Sequence, residues 1–377
     1  MKETIPREDI PIKTSIFQII TSKSTIEDFE HAIKQYLKTE KIALTSSASA
    51  GLYLLLNKIK TAEKNEVIIP AYTYSGIIHA IKSCGLKPIL VDLEERSKQM
   101  SVKEIENKIS KKTLAIIATH LYGQACDIKK IVQIGKKVIV IEDCAHALGS
   151  ELENKKLGNF GDFAIYSFAP LKLINCFGGG AITGKSKIVD EIKKESKSYP
   201  KYNFIKKIIT TTNIRIFTVK TIFWFMLPII KLFNNFNIDI IELMFPDKLT
   251  KDYRKKFCET QAKMGILQLK HIDNLIKERR EKAMCIINNT KNLIYSKQIK
   301  NSRPNYFLFP IICKNKKIFR EYLLKNNIDT TGRYFTTLTE DLEDFPITRI
   351  MDKNALYLPL HGNTKYLVEK IKAYKHN

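Results

Sequence analysis

The chain has 377 residues, more than one compact core usually serves, so two domains are expected. Hydrophobic residues make up 44% and charged residues 27%, ordinary globular usage that argues against a disordered chain. The formal charge of +24 attracts anions of every kind, and no RNA- or DNA-binding signature accompanies it.

The N-terminus, Met1-Lys2-Glu3-Thr4, is charged and lacks the apolar core of a signal peptide. Seven cysteines are scattered without paired spacing, so neither a zinc site nor a disulfide framework is expected, and a reducing cytoplasm is the simplest setting.

From Lys41 to Gly184 strands and helices alternate. The apolar runs Ile42–Leu44, Val67–Ile69, Pro88–Val91, Leu114–Ile117 and Val138–Ile141 read as buried parallel strands, with further strands at Phe163–Phe168 and Gly180–Thr183. Continuous apolar strands separated by helices predict an α/β fold, a mostly parallel seven-stranded sheet covered on both faces. Between Lys193 and Lys256 glycine disappears, and aromatic and aliphatic residues mix with lysines. A helical period returns over 257–282, in Met264, Leu267, Ile272 and Ile276. Tyr306 to Tyr374 alternates short strands and helices, as a small α+β domain does. The expected division is a large α/β domain over 1–250 and a small C-terminal domain over 251–377.

Ligands of open α/β sheets bind at the carboxyl ends of the strands. Ser46, Ser47 and Ser49, His120, Asp143, Ser167 and Lys172 all follow apolar strands, and their segments are expected to converge on one crevice. Taken singly, each has a plainer reading: an N-cap for the serines, a cap or metal ligand for Asp143, a surface lysine for Lys172. Order and spacing carry more. In sequence come Ser46-Ser47-Ala48-Ser49-Ala50-Gly51-Leu52, Pro70-Ala71-Tyr72-Thr73-Tyr74, His120-Leu121-Tyr122-Gly123-Gln124, Glu142-Asp143-Cys144-Ala145-His146-Ala147-Leu148-Gly149, Ser167-Phe168-Ala169-Pro170-Leu171-Lys172 and Gly179-Gly180-Ala181. Glu259-Thr260-Gln261-Ala262 and Leu358-Pro359-Leu360-His361 continue the series. This order resembles the DegT/DnrJ/EryC1/StrS family of sugar aminotransferases, pyridoxal phosphate (PLP) enzymes of fold type I, the aspartate aminotransferase fold. The resemblance covers nearly the whole chain apart from about Lys193 to Asp252.

The resemblance implies roles. Lys172 matches the lysine that holds the cofactor and then moves a proton between substrate and cofactor carbons. Asp143 matches the carboxylate that pairs with the pyridinium nitrogen. His146 stands where relatives contact the ring hydroxyl. Tyr74 matches the aromatic that stacks on the ring. Ser49, with the backbone N–H groups from Ala48 onward, and Ser167 match the phosphate ligands. Arg254 stands where relatives carry an Asn that reaches the partner subunit's cofactor, and the loop Phe177-Gly178-Gly179-Gly180 lacks the family's glutamate. No metal site is implied. A homodimer with shared sites, a nucleotide-sugar substrate and an amino-acid donor, glutamate by resemblance, are expected.

Three other readings compete. A sugar dehydratase or other lyase is disfavoured because Lys172 is retained. A regulatory scaffold predicts loss of Lys172 or Asp143. A Rossmann dehydrogenase needs a Gly-x-Gly-x-x-Gly after the first strand, and none is there. The basic, apolar stretch 206–245 has its most hydrophobic part at Thr221–Ile230, too short for the about 20 residues of a bilayer span. It reads as cover for an interface or the site mouth, with docking on a membrane surface as the sharper alternative.

Overall fold

The computed structural model describes residues 3–6, 16–200, 220–235, 253–291, 293–331 and 334–374. Seven strands form the central sheet: β1 (Lys41–Thr45), β2 (Glu66–Pro70), β3 (Lys87–Val91), β4 (Thr113–Thr119), β5 (Ile139–Asp143), β6 (Phe163–Ser167) and β7 (Gly180–Gly184). Their spatial order is β1-β7-β6-β5-β4-β2-β3. Parallel ladders join β6, β5, β4, β2 and β3 in turn. β7 runs antiparallel to both its neighbours, β1 and β6.

Alternate residues of the strands feed two separate cores, because successive side chains leave a strand on opposite faces. Ile68, Ile116 and Val140 belong to one, with the helices Ile26–Leu37, Val102–Lys108, Ile128–Ile134 and Glu259–Leu269. Val67, Ile69, Ala115, Ile117 and Ile141 belong to the other, with the helices Ala48–Ile59, Ser75–Ser83 and Lys187–Lys197. Every residue of β4 is buried, which explains its unbroken apolar sequence. Packing is close: a Cβ on Gly265 meets the Phe29 ring at 2.5 Å.

The helical period over 257–282 resolves into two helices, Glu259–Leu269 and Ile272–Asn289. The break comes where the His271 N–H turns to the Gln268 carbonyl, three residues back, and tightens the last turn. Ile272 and Ile276 pack in the first core. Ala283 and Ile286 of the same helix pack in a third, smaller core. That core lies under an antiparallel sheet of β8 (Ile294–Tyr295), β9 (Pro310–Ile312) and β10 (Ala355–Tyr357), with the helices Lys316–Lys325 and Thr364–Ala373. The expected domain boundary at 250/251 lies outside the described residues.

Candidate active site

Lys172 sits on the loop between β6 and β7, and its surroundings fix that loop from several sides. Phe168 and Gly179 hold its two ends together through Phe168 N–H to Gly179 O, while Gly179 N–H reaches Ser46 O at 2.8 Å. Helix Glu259–Leu269 clamps the middle. Gln268 accepts the Asn175 N–H at 2.9 Å and donates to the Asn175 carbonyl at 2.8 Å. Gln261 donates to the Cys176 carbonyl at 3.2 Å. Both glutamines are buried. Leu171, next to the lysine, has φ 71°, a left-handed conformation that costs a leucine energy and that the clamped loop imposes.

The ends of β4 and β5 carry the acid groups. Glu142 and Asp143 are neighbours on β5, so their side chains leave on opposite faces. Glu142 is fully buried and accepts four hydrogen bonds, from His120 Nε2 (3.0 Å), Gly158 N (2.7 Å), Phe160 N (2.6 Å) and Gly161 N (2.8 Å). Burial pushes its carboxyl up, but the His120 bond and the backbone N–H groups outweigh that and hold it below the usual range. His120 Nδ1 accepts the Cys126 N–H at 3.2 Å, so Nε2 carries the proton it shares with Glu142. His120 is therefore a core residue and not part of the crevice, contrary to the sequence expectation. With the Cys144 thiol it lies among ligand-type atoms, but the histidine and carboxylate lone pairs are already used.

Asp143 contrasts with its neighbour. It is 6% exposed, and Oδ1 accepts the Ala145 N–H at 2.9 Å. Oδ2 accepts no hydrogen bond among the described residues. Burial raises its carboxyl above the usual range, opposed by the Ala145 N–H and the Lys172 charge. The Lys172 ammonium also acts on His146, which burial and that charge push well below an ordinary histidine. Lys172, Asp143 and His146 thus share one field.

The His146 ring stacks on Phe307 at 4.5 Å and lies near Phe335 (5.1 Å) and Tyr334 (5.7 Å). Lys172 Nζ stands 4.6 Å from the Phe307 centroid and 6.0 Å from that of Tyr334. Buried Asn305 ties this wall together, donating to the carbonyls of His146 (2.8 Å) and Leu148 (2.9 Å) and accepting from Phe307 N (2.8 Å). Asn305, Phe307, Phe335 and Gln268 were not found by sequence reasoning. They come from distant segments and carry no local motif.

The phosphate candidates gather at the start of helix Ala48–Ile59. Ser47 is its N-cap, with Oγ on Ala50 N at 3.0 Å, which leaves the N–H groups of Ala48 and Ser49 in the first turn without a carbonyl one turn back. Ser167 closes β6 opposite Gly180, and a Cβ on Gly180 meets Ala48 N at 2.4 Å. A Cβ on Gly76 meets the Tyr74 ring at 2.4 Å and Ser49 Oγ at 2.7 Å, so glycine there keeps the gap between them open. Ala48, Ser49, Ser167 and Tyr74 are therefore assembled, with Tyr74 39% exposed. Arg254 is not in this group. It is exposed, beside Glu195, whose carboxyl the Tyr199 hydroxyl chiefly holds below the usual range with the Arg254 charge helping, and beside Tyr199, whose hydroxyl burial and Glu195 push up against that charge.

A model of the DegT/DnrJ/EryC1/StrS aminotransferase family matches residues 14–221 and 230–366. The chain belongs to this family. Over 350 residues it is 28% identical to a GDP-perosamine synthase of Escherichia coli O157:H7, covering 92% of this chain and 80% of that one. A Vibrio cholerae protein of the same name is 36% identical over 166 residues, under half of either chain. A dTDP-4-amino-4,6-dideoxy-D-glucose transaminase of Shigella dysenteriae is 26% identical over 93% of this chain and 90% of its own. In fold, the chain is similar to the putative sugar aminotransferase Spr1654 from Streptococcus pneumoniae in its PMP form, with a TM-score of 0.76, 20% identity and 98% of each chain covered. The protein is thus an aminotransferase by family and an α/β enzyme of that fold.

Proposed function

We propose that the chain moves an amino group from an amino acid, glutamate, to a keto group of a nucleotide-linked deoxysugar, in the making of amino sugars for surface glycans. The cofactor is pyridoxal phosphate. The observation that carries this is the pair of Lys172 and a buried Asp143 whose Oδ2 is still open to a donor. The names of the relatives, a GDP-perosamine synthase and a dTDP-amino-sugar transaminase, support the substrate class. The excess of Lys and Arg suits a diphosphate-bearing substrate.

The residues fit the cofactor. Oδ2 of Asp143 is an acceptor for a ring N–H in a nearly dry place. The gap kept by Gly76 and Gly180 adjoins the first-turn N–H groups of Ala48 and Ser49, an anion site. Ser49 Oγ and Ser167 Oγ add donors, and Tyr74 covers a ring face. When bound, pyridoxal phosphate supplies an electron-accepting ring that makes the carbon beside the transferred nitrogen acidic. Asp143 holds the proton on the ring nitrogen. Lys172 Nζ would take the carbon-bound proton and return it at the other end of the transfer. Neutral His146, packed on Phe307, would contact the ring hydroxyl without adding a second positive charge. Phe307 and Tyr334 exclude water from the lysine's side. Retention of Lys172 favours transfer over dehydration.

The active unit is a homodimer in which Arg254, turned outward here, reaches the phosphate of the partner subunit's cofactor. The seven cysteines are free, which suits a cytoplasmic setting. The test is the visible absorption of the protein with added pyridoxal phosphate, for wild type and Lys172→Ala, before and after glutamate. A band in wild type only, bleached by glutamate and restored by a keto-sugar nucleotide, is the expected result. A band that glutamate leaves unchanged contradicts the donor, and no band contradicts the cofactor.

A further inference from the structure

The helix Lys220–Asn235 stands apart from the rest of the chain in both sequence and surroundings. The family match stops at 221 and resumes at 230, so its apolar middle, 222–229, lies outside the matched residues. Leu227 and Ile230 point inward, onto Leu324 of helix Lys316–Lys325, with Met226 beside them. Lys231 Nζ anchors the same side, 3.0 Å from Asn327 Oδ1. The opposite side is also apolar. Phe225, Ile229 and Leu232, spaced by four and three residues, form one stripe and are 66%, 42% and 56% exposed. A soluble surface helix has no use for a second apolar face, so the stripe needs something to cover it.

Charge chooses the cover. Among the described side chains, the two packed helices carry Lys231, Lys316, Lys317, Arg320 and Lys325 against the single Glu321. A second copy of this patch meets it with like charge. An anionic surface meets it with opposite charge, and a lipid surface also accepts the apolar stripe. No helix among the described residues is long and apolar enough to cross a membrane, so the contact is parallel to the surface. We infer that this helix docks the enzyme on an anionic lipid bilayer, with Phe225, Ile229 and Leu232 entering the headgroup boundary and the exposed Lys317 and Lys325 supplying positive charge for the phosphates. The expected docking stretch 206–245 is thereby narrowed to its described part, since 206–219 and 236–245 lie outside the described residues. The inference does not depend on the substrate or on the cofactor.

The test is co-flotation of the full-length, cofactor-loaded protein with vesicles of phosphatidylcholine alone or mixed with phosphatidylglycerol. Wild type is expected to float with the mixed vesicles at low salt, and to lose part of that binding as salt rises. Ile229→Glu with Leu232→Glu is expected to lower the apparent partition by about tenfold or more, given what burying an aliphatic side chain contributes. Its absorption spectrum and its mass in solution should match wild type, which shows that it folds. Three results overturn the inference: no flotation of wild type, equal flotation of the variant, or a variant whose solution mass drops, which makes a second copy the occupant.

Discussion

Glu142 and Asp143 are adjacent carboxylates at the end of one strand, and the two regions they face differ in a way that separates structure from chemistry. On the Glu142 side every lone pair is used, by a histidine and three backbone N–H groups. That carboxylate is held ionised and has nothing left to offer a ligand. On the Asp143 side one backbone N–H is supplied, burial raises the carboxyl, and one oxygen stays open. Burying a charge is costly unless it is fully paired. A buried carboxylate left half-paired, next to a lysine, is poised for a partner that arrives from outside.

The comparison breaks most visibly at Asp143. Asp143→Asn is expected to lower turnover on the order of 10³-fold, because the amide does not hold the ring proton. The same change is expected to leave the apo protein as stable or slightly more so in urea, since a charge that burial disfavours is removed while Oδ1 still accepts from Ala145. Glu142→Ala tests the other half. It leaves buried donors unpaired and is expected to cost about 3–5 kcal/mol in stability, seen as a lower urea midpoint. A variant that unfolds early but keeps normal turnover per folded, loaded molecule sharpens the contrast.

A smaller effect is expected at the loop clamp. Gln268→Ala removes both hydrogen bonds to Asn175 and is expected to cost about 1–3 kcal/mol of local stability, read as faster amide exchange at Asn175 and weaker retention of pyridoxal phosphate.

The smallest effect is a pH dependence at His146. Its folded ionisation lies well below the ordinary 6.5, so the unfolded chain binds its proton first. The stability linked to this residue is full above about pH 6.5 and is lost as the pH falls, by at most about 1.4 kcal/mol per pH unit. His146→Gln should flatten that part of the urea-midpoint curve.

Much of this was legible in the sequence. The seven strands announced themselves as apolar runs, and Lys172, Asp143 and Ser49 were singled out by the resemblance of their motifs, taken in order, to those of the family. His120 misled because a polar residue after a strand has two faces to choose from, and here the Glu142 side claims it. Gln268, Asn305 and Phe307 were silent because their work is done across the fold, on the Asn175 backbone, on the His146 carbonyl and on the His146 ring. Arg254 keeps its expectation only through a partner subunit, since in its own chain it sits by Glu195.

The most direct measurement is to add pyridoxal phosphate, reduce with borohydride, digest, and find by mass spectrometry which lysine carries the cofactor. With 53 lysines in the chain, chance labelling would be spread widely. Label on the Lys172 peptide alone, absent when glutamate is added before reduction, is the predicted result. Label on another lysine, or none above background, contradicts the account of this site.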